Sequence, residues 1–228
     1  MTNYAYKLDC PEKIIINGCL GARYIGAGAS NKVITINGIP GNALGAYLDG
    51  AEIIVNGNVQ DAVGDTMNGG RIIINGSAGD VLGYAMRGGE IFVKDNCGYR
   101  TGIHMKEYKE KRPCIVIGGS AGSFLGEYLA GGLIIVLGLN RDEPPVGNFT
   151  GTGMHGGRIF IRSEKPPKAL PAQVLCRRAT DMDLKDIHAY ISEFSRIFEI
   201  DINDILNKSF YVLTPNEKNP YKLLYTEN

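Results

Sequence analysis

One 19-residue unit occurs twice, end to end and without a gap, from Ile53 to Glu90. The first copy reads IIVNGNVQDAVGDTMNGGR and the second IIINGSAGDVLGYAMRGGE. Each opens on an apolar triplet and an Asn-Gly pair (Asn56-Gly57, Asn75-Gly76). Each continues with Asp, two apolar residues and Gly (Asp61 to Gly64, Asp80 to Gly83). Each closes on Met, one polar residue and Gly-Gly (Met67 to Gly70, Met86 to Gly89). A fixed period of this length marks a repeat architecture, in which single units bury a core only by stacking.

The pattern extends both ways. Asn17-Gly18 and Asn37-Gly38 precede it, with Gly38, Gly57 and Gly76 spaced by 19 residues. Downstream, Ile91-Phe92-Val93 opens a copy whose turn is Asp95-Asn96. A charged insertion, Lys106–Arg112, separates it from Ile115-Val116-Ile117, and Ile134-Ile135-Val136 follows. The last copy carries a second insertion, Asn140–Val146, and Ile159-Phe160-Ile161 ends the series. The triplets are short and β-branched, which favours strands. Asn-Gly and Gly-Gly mark turns, since both residues accept positive φ. The turns lie too close together for crossover helices. A parallel β-helix of about seven coils fits, stacked at about 4.8 Å into a rod roughly 34 Å long. The two insertions are expected to loop out at turns, where a partner could meet them.

The stiff break Ser163–Lys168, with Pro166 and Pro167, ends the coils. Beyond it the period changes. Asp181 or Asp183 is expected to cap a helix bearing Leu184, Ile187, Ile191, Phe194 and Ile197-Phe198 on one side. Asp201 is expected to cap a short second helix, and Phe210–Pro215 reads as extended. This gives residues 1–165 as the β-helix and 166–228 as a linker with a helical tail. The tail is expected to pack on the rod, shield an open end, or dock a partner, because a bare β-helix end exposes strand edges.

Lys+Arg and Asp+Glu both number 24, so charge offers no drive toward nucleic acid or a membrane surface. No apolar run reaches the roughly 18 residues of a membrane span. The N-terminal MTNYAYKLDC has no basic stretch followed by an apolar one, so no signal peptide and a cytoplasmic location are expected. Cys10, Cys19, Cys97, Cys114 and Cys176 are odd in number and contain no CxxC, which argues against a disulfide framework or a zinc site.

Three stretches look catalytic. Gly118-Gly119-Ser120-Ala121-Gly122 matches the GxSxG nucleophile elbow. Yet Gly119–Gly122 aligns with Gly76–Gly79 of another coil, so a repeat turn accounts for both. Gly151-Thr152-Gly153-Met154-His155-Gly156 matches the dinucleotide GxGxxG, but a strand rather than a helix follows it. His104, His155 and His188 have no ligand-spaced partner. Asp61 and Asp80, one coil apart, are expected to bond backbone amides at the turn. No catalytic, cofactor-binding or metal-binding residue is assigned.

The recurring Gly-x-x-Gly-x-x-x-Gly pattern, at Gly38 to Gly45, Gly76 to Gly83 and Gly119 to Gly126, resembles the GXGXG domain of the glutamate synthase large (alpha) subunit. The stretches Gly98 to Met105 and Gly147 to Arg158, with the helical tail, look like the version found as a free-standing chain, chiefly in archaea and some bacteria. The resemblance covers nearly the whole chain. It implies a right-handed parallel β-helix. It also implies a subunit of an oxidoreductase in which an amidotransferase releases ammonia from glutamine. A partner carrying FMN and an iron–sulfur cluster then converts 2-oxoglutarate to glutamate. In that family the β-helix holds no catalytic residue. This chain has Thr2 after Met1, not a nucleophilic cysteine, and no clustered cysteines. The expected role is therefore structural, with no cofactor in this chain and with amidotransferase and FMN-binding subunits as partners; self-association stays open. The C subunit of formylmethanofuran dehydrogenase is similar too. An independent binding protein with aromatic ladders along the rod is the remaining reading. Its tyrosines, Tyr24, Tyr47, Tyr84 and Tyr128, look scattered rather than stacked in consecutive coils.

Overall fold

The computed structural model describes residues 11–139 and 141–216, so Cys10 lies outside the described residues. Eight strands follow one another in chain order. They are β1 (Glu12–Leu20), β2 (Lys32–Ile39), β3 (Asp49–Asn56), β4 (Gly69–Ile74), β5 (Glu90–Val93), β6 (Cys114–Ile117), β7 (Ala130–Val136) and β8 (Gly156–Arg162). Each pairs in parallel with the next, which makes a solenoid of about seven turns.

The apolar triplets explain the sheet. Side chains alternate across a strand, so the first and third of each triplet point inward and the second outward. The first positions form a ladder of one residue type, Ile34, Ile53, Ile72, Ile91, Ile115 and Ile134, each opposite the next. Nearly all of this ladder is fully buried. A second wall is built of small residues, Val59, Ala78, Cys97, Ala121 and Val146, in successive isolated bridges.

The third side is a turn with alternating left-handed residues. In one coil Ala62, Gly64 and Thr66 have φ of 57°, 68° and 52°; in the next Val81, Gly83 and Ala85 have 53°, 67° and 49°. The alternation aims successive N–H groups up and down the stack. Ala62 N donates forward to Asp80 O (2.9 Å), Gly64 N back to Leu44 O (2.9 Å), and Thr66 N forward to Tyr84 O (2.7 Å). The middle position favours glycine on two counts, its left-handed φ and its lack of room. A Cβ on Gly64 would lie 2.6 Å from Ile91 Cδ1, and one on Gly83 2.5 Å from Ile115 Cδ1. The Ile ladder fills the space that a side chain would need.

The first insertion is exposed over 106–111, as a loop at a turn should be, and its far end is tied back to the rod. Tyr108 and Lys111 close a tight antiparallel bridge, and Lys111 Nζ donates to Asn68 O at 2.8 Å. Arg112 then grips both oxygens of Asp186 at 2.9 Å. Its cations find carbonyls and carboxylates along the rod, so the segment acts as a strap. The second insertion, whose Asn140 lies outside the described residues, is exposed over 141–143, as a loop at a turn should be, and rejoins the rod at Pro145 and Val146. Val146 joins the second wall, and Glu143 and Asp142 pair with Lys165 and Lys208.

The tail comprises β9 (Val174–Arg178), α1 (Asp181–Phe198), α2 (Ile202–Leu206) and β10 (Phe210–Pro215). Antiparallel β10 sits between β8 and β9 and so closes the last coil's edge. β9 has no counterpart in the sequence reading, which left it as linker; only Val174 of its residues is buried, so it carries no alternating pattern. Helix α1 lies on the outer face of the sheet. Its Ile187, Ile191, Phe194 and Phe198 share a core with outward-facing Phe92, Val116, Ile135 and Phe160. Burying four such side chains contributes roughly 6–12 kcal/mol before ordering costs. The N-cap is Thr180, not Asp181 or Asp183; Asp183 closes the capping box from the N3 position. Asp201 caps α2 as expected. Among the described residues, no helix is long and apolar enough to cross a membrane.

Candidate functional site

The residues that looked catalytic are held by the repeat. Ser120 donates both its N–H and its hydroxyl to Asn96 Oδ1, each at 2.9 Å. The same bond recurs one coil and two coils earlier, where Ser77 N donates to Asn58 Oδ1 (2.9 Å) and Asn96 N to Ser77 Oγ (3.3 Å). Ser120 is thus one rung of a ladder. Asp61 and Asp80 behave as expected: Asp61 Oδ1 accepts from Asp80 N at 2.9 Å and Asp80 Oδ1 from Tyr99 N at 2.8 Å.

The GxGxxG stretch has a packing explanation. A Cβ on Gly151 (φ +76°) would meet Met154 and Val174 at 3.0 Å, and one on Gly153 (φ +69°) would lie 2.5 Å from the Tyr128 ring. Strand β8 follows directly. His188 Nδ1 lies 3.3 Å from Ser192 Oγ, and His155 Nδ1 lies 3.2 Å from Gly153 O. Among the described residues, no three His, Cys, Asp or Glu side chains cluster as metal ligands do. Cys97 and Cys114 are fully buried thiols, and burial pushes both far above the ordinary cysteine range.

Strongly perturbed carboxylates often mark active sites. Here they clamp α1. Arg177 donates to both oxygens of Asp183, at 2.6 and 3.1 Å, and holds its carboxyl well below the usual range. Asp186 is lowered in the same sense, first by Arg112, with Arg158 adding a bond at 2.5 Å. Arg162 is buried among acceptors: Ile205 O (2.6 Å), Asp204 O (2.7 Å) and Asn207 Oδ1 (2.8 Å). Desolvation lowers its pKa.

A cleft of about 410 Å³ opens where another ladder stops. Asn37, Asn56 and Asn75 each donate a side-chain amide to the Asn of the previous coil, at 2.7, 2.7 and 3.0 Å. The next coils place Lys94 and Gly118 there, and Leu139, Arg141 and Ile200 form the far wall. Asp95 also lines it, and the Ser120 hydroxyl there is already given to Asn96.

The turn side offers a different surface. Tyr84 meets His104 edge-on at 5.9 Å, and His104 stacks on Tyr128 at 5.1 Å with planes 9° apart. Alongside, Arg100 lies 4.9 Å over the Phe124 ring, which stacks on Phe149 at 5.0 Å. Arg100 also pairs with Glu127 at 2.9 Å. Aromatic side chains therefore do stack in consecutive coils, against the sequence reading. The insertions hid it: Arg100, Phe124 and Phe149 are 24 and 25 residues apart instead of 19.

Comparisons with known proteins agree with this architecture. A family model described as GXGXG motif matches residues 13–216. The uncharacterized protein MJ1350 of Methanocaldococcus jannaschii is 45% identical over 224 residues, covering 94% of this chain and 86% of that protein. A chain of the formyltransferase/hydrolase complex FhcABCD from Methylorubrum extorquens, solved with methylofuran, has a similar fold. Its TM-score is 0.65 at 23% identity, over 89% of this chain and 73% of that one.

Proposed function

The chain belongs to the GXGXG motif family, and on that premise we propose that it is a non-catalytic structural subunit of a glutamate synthase assembly. In this reading it joins an amidotransferase subunit to a subunit that holds FMN and an iron–sulfur cluster. One observation carries the reading: the polar residues that could do chemistry are engaged in holding coil to coil and helix to rod. Ser120, Asp61 and Asp80 are rungs, and the perturbed Asp183 and Asp186 are clamps. What remains available is surface. The solved relative of the same fold comes from a multi-subunit complex, which supports a role in assembly.

The test is recovery of the tagged chain from its native cell, with the recovered material assayed for flavin absorbance and for glutamate formed from glutamine and 2-oxoglutarate. Co-recovery of a flavin-bearing subunit and an amidotransferase is the expected result. Recovery with a formyl-transferring or molybdopterin enzyme would move the chain to the second reading, that of a formylmethanofuran dehydrogenase subunit. That reading is favoured only by the shared fold with the FhcABCD chain. A chain recovered alone, colourless and inert, would contradict both.

A further inference from the structure

We propose that Asn17-Gly18 is a site of spontaneous covalent modification, at which the asparagine loses ammonia through a cyclic imide and becomes aspartate or isoaspartate. The proposal goes beyond the subunit reading and does not rest on it.

The chain holds Asn-Gly pairs at 17-18, 37-38, 56-57, 68-69 and 75-76. In each the glycine nitrogen can reach the side-chain amide carbon, because glycine has no Cβ to block the approach. The fold treats the pairs differently. Asn37, Asn56 and Asn75 each donate the side-chain NH2 to the asparagine one coil earlier, at 2.7, 2.7 and 3.0 Å. Asn17 begins this ladder and has no earlier coil to donate to. Its Oδ1 accepts from Asn37, while its NH2, the leaving group, makes no hydrogen bond among the described residues.

The glycines differ in the same sense. Gly38, Gly57 and Gly76 are pressed onto the coil before them. A Cβ there would lie 2.3 Å from Cys19 O, 2.5 Å from Gly38 O and 2.5 Å from Asn58 Oδ1. At the fourth pair the nucleophile is occupied, since Gly69 N donates to Leu48 O at 3.1 Å. Gly18 has a φ of +65° and nothing within 4 Å of a Cβ position. The sheet also skips it. Asn17 pairs with Asn37 and Cys19 with Gly38, so Gly18 is the extra residue of a β-bulge, unpaired with β2. Asn17 and Gly18 are both exposed, whereas the other four glycines are half-buried or buried. An undonated leaving group, an unpaired nucleophile and a backbone free to turn meet at this one pair.

The Gly18 nitrogen attacks Asn17 Cγ. The N–Cγ bond forms, the Cγ–Nδ2 bond breaks, and the NH2 leaves as ammonia with the proton that Gly18 N gives up. Water then opens the imide at either carbonyl: its hydroxyl stays on that carbon and its proton returns to the Gly18 nitrogen. Nothing is oxidised or reduced. Opening at Cγ gives aspartate, which keeps an oxygen for the Asn37 amide and leaves the ladder whole. Opening at the main-chain carbonyl gives isoaspartate, which runs the backbone through Cβ and Cγ and so displaces β1 against β2.

Incubation of the purified full chain at mildly alkaline pH, with peptide mass mapping and fragmentation that separates the two isomers, tests this. The expected result is a gain of one mass unit at position 17, at least tenfold faster than at 37, 56, 68 or 75, with oxygen taken up from labelled water. The rate should rise with pH, because the nitrogen attacks in its deprotonated form. In urea that unfolds the chain the rates at the Asn-Gly pairs should converge. In the folded, modified chain amide exchange should quicken in β1 and stay unchanged in β4. A position 17 that stays intact in the folded chain, or reacts no faster than the other pairs, would overturn the site. Selectivity for position 17 that persists in urea would also overturn it, because the preference would then belong to the local sequence and not to the fold.

Discussion

At the scale of single residues, the repeat works because one backbone conformation recurs with two kinds of demand on it. Gly83 is held by both. Its φ is +67°, and a Cβ there would lie 2.5 Å from Ile115 Cδ1. Gly28 shares the φ, at +64°, but has nothing within 4 Å. Gly28→Ala should therefore cost about 1 kcal/mol, from the left-handed conformation alone. Gly83→Ala should cost about 2–4 kcal/mol, because overpacking adds to that strain. Urea unfolding of the two variants checks the difference; equal losses would mean that the Ile ladder moves aside at no cost. The central glycines were legible in the sequence as a period, though not which of them face the core. The stacked Arg100, Phe124 and Phe149 were not legible, since the insertions change their spacing while the coils stay in register.

At the scale of elements, α1 is the part whose attachment is most specific. The apolar stripe Ile187, Ile191, Phe194 and Phe198 was readable from helical periodicity. Its cap was not, because Thr180, Asp181 and Asp183 all have capping side chains and only the turn's geometry chooses among them. The clamp makes α1 sensitive to acid. Asp183 and Asp186 have folded-state pKa values below their ordinary ones. Such groups contribute stability that is fully present above the unfolded carboxylate range, about pH 4, and is lost as pH falls through the folded values. Helical circular dichroism should hold from neutral pH to about pH 4 and then fall, with Asp183→Ala weakening it already at neutral pH. That substitution removes a cap and two charged hydrogen bonds and should cost about 2–4 kcal/mol. Arg162→Leu is the companion prediction. It strands the carbonyls of Asp204 and Ile205, which the guanidinium now satisfies. Amide exchange should then accelerate selectively in α2 and β10, at a cost of about 2–4 kcal/mol. Uniform acceleration across the coils would contradict a local role for Arg162.

At the scale of the molecule, the chain is a stack in which neighbouring coils satisfy each other and the tail finishes one end. β10 and β9 cover the last coil, and α1 covers the outer face of the later strands. The outer face of the first coil is different: Ile15 is 67% exposed. The architecture was legible because a 19-residue period allows few folds. The path of the insertions was not, since their contacts are set by side chains far away in sequence, such as Arg112 with Asp186. A molecule whose polar groups are engaged in its own construction is suited to hold others in place. The most direct measurement of that claim is made on the assembly recovered with this chain. Glutamine-dependent and ammonia-dependent glutamate formation are compared before this chain is stripped away, after stripping, and after adding it back. The account predicts that glutamine-dependent synthesis falls on stripping and returns on addition, while the chain alone carries no flavin and turns over neither substrate. Turnover by the isolated chain, or an assembly indifferent to its removal, would contradict it.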